Sequence, residues 1–207
     1  MQMKKKIILQ LCADLGSDSR YYQLDDNYEV ITVGIDIGVE NFSHKGEVQG
    51  IIANPVCTEF STANYSVERD SEKGMFLVNH CLRIINECKP KWWVIENPAR
   101  GTLHKHIGKP DHKYQPWQYG SPWTKATALW GNFVMPEPTV KNRKDVVLRD
   151  GLYIRDRDTM PSLAILHKSA IAFMPEYDWC KDKINCDADL RSLCSDSFAK
   201  AFKEVNP

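Results

Sequence analysis

The chain has no surplus of either charge: Lys plus Arg and Asp plus Glu both number 27 among 207 residues. No overall basic field advertises nucleic acid, although a local basic groove remains open. Apolar runs stay far short of a bilayer span, so no membrane segment is expected. The run Ile7-Ile8-Leu9-Gln10-Leu11-Cys12 follows a basic start, Lys4-Lys5-Lys6, but is too brief for a signal-peptide core. Repeats and low-complexity tracts are also missing. The 7 cysteines, an odd number, stand singly, and no Cys-x-x-Cys pair occurs. Without an export signal, reduced thiols in a cytoplasmic protein are expected. Cys180, Cys186 and Cys194 with His167 lack the spacing of a zinc knuckle, so no metal site is expected.

What is present suits one ordinary domain with a real core. Strand-like runs fall at 6–11, 29–34, 48–53 and 92–95, each apolar and without polar alternation. Such strands belong in a sheet covered on both faces. A short polar helix is expected over 19–26, capped by Ser17 or Asp18. A longer one is expected over 71–89, where Met75, Val78, Leu82, Ile85 and Cys88 recur at helical steps before Pro90. Cys12, Cys81 and Cys88 read as small packing residues.

Strand, helix, strand in succession predicts an α/β fold with a doubly wound, mostly parallel sheet. Residues 99–122 read as an irregular functional loop. In it His104, His106 and His112 alternate with Lys105, Lys109 and Lys113, and Tyr114, Trp117 and Tyr119 are available to stack on bases. Residues 134–144 read as a connector, 163–173 as an apolar-periodic segment, and 196–205 as a closing amphipathic helix.

Two strand ends carry the chemistry. Ile51-Ile52-Ala53-Asn54-Pro55-Val56-Cys57-Thr58-Glu59-Phe60-Ser61 runs from a buried strand into a turn bearing a thiol. Trp92-Trp93-Val94-Ile95-Glu96-Asn97-Pro98 repeats that plan with an acid and an amide. Carboxyl ends of parallel strands are where such sheets gather ligands. A thiol and an acid placed there point to covalent chemistry on an acceptor that the acid holds or protonates.

Taken in order, Cys57-Thr58-Glu59-Phe60-Ser61, Glu96-Asn97-Pro98 and Tyr119-Gly120-Ser121-Pro122-Trp123-Thr124-Lys125 with Leu129-Trp130 resemble the DNA cytosine-5 methyltransferases. The likeness is to the compact phage and mobile-element forms and covers roughly residues 6 to 133. It implies a Rossmann-like methyltransferase fold, with 1–133 as the catalytic core, 134–195 as a reduced recognition region and 196–207 as a helix packing back on the core. It implies S-adenosylmethionine as methyl donor and DNA as partner, with the target base flipped out of the stack.

The resemblance also assigns roles. Cys57 becomes the thiolate that adds to cytosine C6, Glu96 the acid at N3, Asn97 the residue orienting their loop, and Lys125 a contact to the base or a phosphate. The cofactor falls to Ala13, Asp14, Leu15, Gly16 and Ser17, to Asp36 for the ribose, and to Asn54 and Pro55, with Glu40 or Asn41 at the adenine edge. This chain departs from the pattern at four places. Asp14 replaces a glycine, Gln10 an acid, Val56 separates Pro55 from Cys57, and no arginine accompanies Lys125. The alternatives are therefore a degenerate methyltransferase-fold binding protein, or an enzyme acting on RNA, single strands or a free pyrimidine nucleotide.

Overall fold

The computed structural model describes residues 4–13, 15–62, 68–152 and 159–207. Six strands form one sheet: β1 (Lys6–Leu11), β2 (Tyr28–Val33), β3 (Gly50–Ala53), β4 (Trp92–Pro98), β5 (His112–Tyr114) and β6 (Thr127–Asn132). Their spatial order is β2-β1-β3-β4-β6-β5. β1 pairs parallel with β2 and β3, and β3 with β4, whereas β6 runs antiparallel between β4 and β5. The helices are α1 (Arg20–Gln23), α2 (Ser71–Cys88), α3 (His104–Ile107), α4 (Asp187–Ser192) and α5 (Asp196–Val205).

Pleating explains why the strands are apolar throughout. Alternate residues point to opposite faces, and both faces are covered here. Leu9, Leu11, Ile51 and Ile95 meet Val78, Cys81, Ile84 and Ile85 of α2 on one side. Ile8, Ile52, Trp92 and Val94 meet Tyr22 of α1 and Phe198 and Phe202 of α5 on the other. This is the doubly wound α/β sheet expected of a Rossmann-like methyltransferase fold. A third apolar cluster, around Trp123, Leu163, Met174, Tyr177 and Leu193, gathers residues of the C-terminal third, and Leu15 packs against it. No helix among the described residues is long and apolar enough to cross a membrane.

Local signals hold where they were strong. In α2 the Asp70 carboxylate accepts from the Lys73 backbone N–H at 3.0 Å, and Lys89 closes the helix in a left-handed conformation (φ 46°) just before Pro90. α5 spans the expected residues, with Ser195 accepting from the Phe198 N–H.

Several expectations need correction. α1 is a single turn preceded by Ser19, and neither Ser17 nor Asp18 caps it, because both side chains face other partners. Residues 163–173 form two separate 3-10 segments, Leu163–Ile165 and Lys168–Phe173, with extended backbone at Leu166 and His167 between them. The supposed loop at 99–122 contains α3 and the edge strand β5. Tyr114 and Tyr119 are buried rather than offered to bases: Tyr114 stacks on Phe198 with ring centroids 3.9 Å apart, and the Tyr119 hydroxyl donates to the Pro136 carbonyl at 2.7 Å.

Strand β4 continues beyond Ile95 because β6 pairs with its last residues, Glu96 with Leu129 and Asn97 with Ala128. Cys12 sits half-buried in the turn after β1, in a left-handed conformation (φ 54°), with its Sγ 3.7 Å from that of Cys81.

Candidate functional site

The carboxyl ends of β1, β3 and β4 open toward one another, and the chain ties them together. The Asn54 N–H donates to the Leu11 carbonyl at 3.1 Å, continuing the β1–β3 ladder into the turn. Asn97 is fully buried, and its Nδ2 donates to the Pro55 carbonyl at 3.0 Å, clamping the thiol-bearing loop to the end of β4. Beyond Pro55, Val56 is exposed and Cys57 half-buried. The Cys57 carbonyl accepts from the N–H groups of Phe60 (3.0 Å) and Ser61 (2.8 Å), so the thiol opens a closed turn with Phe60 buried beneath it. The backbone that follows β4 docks on the same turn, Thr102 N–H donating to the Phe60 carbonyl at 2.9 Å.

Lys125 lies between the acid and the thiol. Its ammonium is 4.0 Å from Glu96 Oε1, and both side chains are mostly shielded from solvent. It also donates to the carbonyls of Leu193 (3.1 Å) and Ser192 (3.4 Å), and its backbone N–H donates to Gln115 Oε1 at 3.1 Å. Burial opposes its charge, yet Glu96, then Asp18, Cys194 and Cys57, together hold its pKa above the ordinary lysine value. Thiol and acid thus share one cation.

The turn after β1 brings a residue that sequence reasoning passed over. Asp18 is only partly exposed, and its Oδ1 accepts from Asn54 Nδ2 at 3.4 Å. Burial first, and the Glu96 carboxylate second, push its pKa up from 3.8 to about 6 against the opposing pull of Lys125 and of hydrogen bonds from Cys194 and Asn54. Asp18, Glu96, Tyr114 and Cys194 line a small cavity of ≈ 20 Å³. No local pattern could have flagged Asp18, since its partners lie on β4, the segment before β6 and the segment before α5.

The other candidates divide. Ala13 continues the β1 end, its N–H donating to the Val33 carbonyl at 3.1 Å; Leu15 turns into the third cluster; Asp14 lies outside the described residues. Gly16 is left-handed (φ 77°), and a Cβ there would come within 3.1 Å of Gln23 Nε2. The Ser17 hydroxyl accepts from the Cys194 N–H at 2.9 Å. Asp36 is exposed beyond the end of β2, beside exposed Ile35 and Ile37, and away from the Lys125 group; Glu40 and Asn41 are exposed on the same excursion. The basic residues Lys105, Lys109 and Lys113 and the imidazoles of His104, His106 and His112 are all exposed.

No protein-family model matches the chain, and no curated protein matches it. One solved structure to which it is similar is a candidate DNA modification methyltransferase encoded within an E. coli prophage. The identity is 15%, the TM-score 0.46, and the match covers 79% of this chain and 55% of that one. The chain thus spans about half the length of that protein.

The residues at hand fit an adenosyl cofactor in kind. Asn54 Oδ1 is buried without a hydrogen-bond partner at the end of β3. A free carboxylate, Asp36, stands beyond β2 with an exposed apolar neighbour, Ile37, on the same excursion. An unpaired buried acceptor is costly unless something satisfies it. Other groups of the same rim are already engaged, namely the Ser17 hydroxyl and the Lys125 ammonium.

Proposed function

We propose that the protein is an S-adenosylmethionine-dependent methyltransferase that modifies C5 of cytosine in DNA through a covalent adduct with Cys57. The observation that carries this reading is the single cation, Lys125, shared by the thiol of Cys57 and the carboxyl of Glu96 across loops clamped by Asn97. Cytosine C5 is a poor nucleophile. Addition of the Cys57 thiolate to C6 forms an S–C6 bond and turns the C5–C6 double bond into part of an enamine. Glu96, carrying a proton, gives it to N3, so that the charge arriving on the ring is neutralised. Lys125 holds Glu96 in place and stabilises the carboxylate left behind. When bound, S-adenosylmethionine supplies the electrophilic methyl group. Loss of the C5 proton then lets the S–C6 electrons return, restoring the aromatic ring and the free thiolate.

Ala13, Leu15, Gly16, Ser17, Asn54, Pro55 and Asp36, with Asp14, form the cofactor side of the site in this reading. Residues 1–133 carry the chemistry, 134–195 serve as a reduced recognition region built on the third apolar cluster, and 196–207 brace the core. The exposed lysines and histidines of 104–113 supply the phosphate contacts that a charge-balanced chain must concentrate locally.

A second reading has a specific observation in its favour. With Ser17 spent on Cys194 and Lys125 on Ser192 and Leu193, the crevice at the strand ends is partly filled by the chain itself. That suits a methyltransferase-fold binding module that has given up its cofactor.

Mass spectrometry of cytosines from cells expressing the protein tests the first reading. 5-Methylcytosine is expected with the intact chain and none with Cys57→Ala; unmodified cytosine in both refutes it. Calorimetry with S-adenosylmethionine separates the two readings, because the binding module takes up no heat.

A further inference from the structure

We propose that Asp18 is a positioning residue for Glu96: the two carboxyls, set around Lys125 on one cavity, hold a single proton between them, and Asp18 keeps that proton in the site for Glu96 to present to a ring nitrogen. The inference rests on the cytosine reading for its last clause and on geometry for the rest.

Both acids line the same ≈ 20 Å³ cavity, together with Tyr114 and Cys194. Each has an anchor of its own. Asp18 is held by Asn54 Nδ2 at 3.4 Å, and Glu96 faces the Lys125 ammonium at 4.0 Å. Lys125 is the cation acting on both, and two backbone carbonyls fix it in place. One positive charge cannot neutralise two carboxylates in a shielded space, so the second negative charge is expensive and the pair retains a proton.

The groups facing Asp18 from each neighbouring element are Glu96 on β4, Lys125 before β6, Cys194 before α5 and Asn54 after β3. Glu96 raises its pKa, and Lys125, Cys194 and Asn54 lower it. Burial and Glu96 prevail, which carries its protonation toward the neutral range where a general acid works best. In the proposed reaction the proton passes from the pair to N3 as the S–C6 bond forms, and both carboxylates then face Lys125. When the adduct collapses, the proton returns from N3 to the pair. No proton need be drawn from bulk water during addition.

Two measurements test this and fail separately. First, 13C-carboxyl NMR follows the titration of the full-length protein with no ligand. One resonance near pH 6 is expected, absent in Asp18→Asn and moved to lower pH in Glu96→Gln. An Asp18 titration below pH 4.5, or one that ignores Glu96→Gln, overturns the pair.

Second, release of tritium from C5 of cytosine in DNA, with no cofactor added, reports thiolate addition alone, since the enamine carbon takes up a solvent proton. The Asp18→Asn profile is expected to lose its rate at lower pH than the unaltered protein, leaving release at least tenfold slower at pH 7. An unshifted profile overturns the role of Asp18. Coupled titration without tritium release from any cytosine supports the pair and refutes the cytosine reading instead.

Discussion

Replacing Asp18 by Asn should stabilise the protein above pH 6 and leave it unchanged below pH 4. The Asp18 carboxyl titrates at about 6 in the folded chain, against an ordinary 3.8. Between those values the folded state holds a proton that the unfolded state has released, so stability falls as pH rises through this window. Below pH 3.8 both states are protonated and the residue is neutral in its effect. Above pH 6 the full cost applies. A shift of this size corresponds to about 3 kcal/mol at roughly 1.4 kcal/mol per pH unit.

Partial solvent contact trims that cost to roughly 2 kcal/mol. Asn keeps the shape and an acceptor for Asn54 but carries no charge to desolvate. Urea unfolding at pH 4 and pH 8 measures the difference, with the midpoint expected to rise in the variant only at pH 8. Equal effects at the two pH values, or a loss at pH 8, refute the claim that a strained carboxylate is being kept at the site. A residue that weakens the fold at working pH and sits against the candidate acid is what a functional site costs.

Two further predictions concern the frame around the site. Gly131 in β6 has φ 150°, and a Cβ there would lie 2.1 Å from the Trp93 carbonyl oxygen. Gly131→Ala should therefore cost more than about 3 kcal/mol by thermal melting, since backbone on the neighbouring strand has to move. Asn206, almost fully buried, accepts from Val134 N–H (2.7 Å) and donates to the carbonyls of Val134 (2.8 Å) and Phe202 (3.0 Å). At about 1 kcal/mol per bond, Asn206→Ala should lose roughly 2–4 kcal/mol. Hydrogen exchange should show faster opening at Val134 and in α5 than in β1, and uniform protection would contradict that placing.

Much of the core was legible residue by residue. The strands at 6–11 and 92–95 and the helices α2 and α5 announce themselves through short apolar runs, helical spacing, Asp70, Pro90 and Ser195. The thiol turn and the Glu-Asn pair were legible because each follows a buried strand in its own stretch of chain. β5 and β6 were not. His112 and Lys113 are polar because β5 is an edge strand, and Thr127–Asn132 becomes a strand through its partners β4 and β5. Tyr114 and Tyr119 looked like base-stacking aromatics in a loop, and only α5 packing over them made them core.

Local chemistry along the chain thus decided which segments are strands, which face of each helix is apolar, and that a thiol and an acid stand beyond or within strand ends. Folding alone decided that Glu96 lies inside a ladder with β6, that Lys125 turns inward to Leu193, and that Asp18 faces Glu96. The reason is range. Hydrophobic period and capping act within a few residues, whereas the charge on a half-buried carboxyl depends on which distant side chains the tertiary fold brings within a few ångströms.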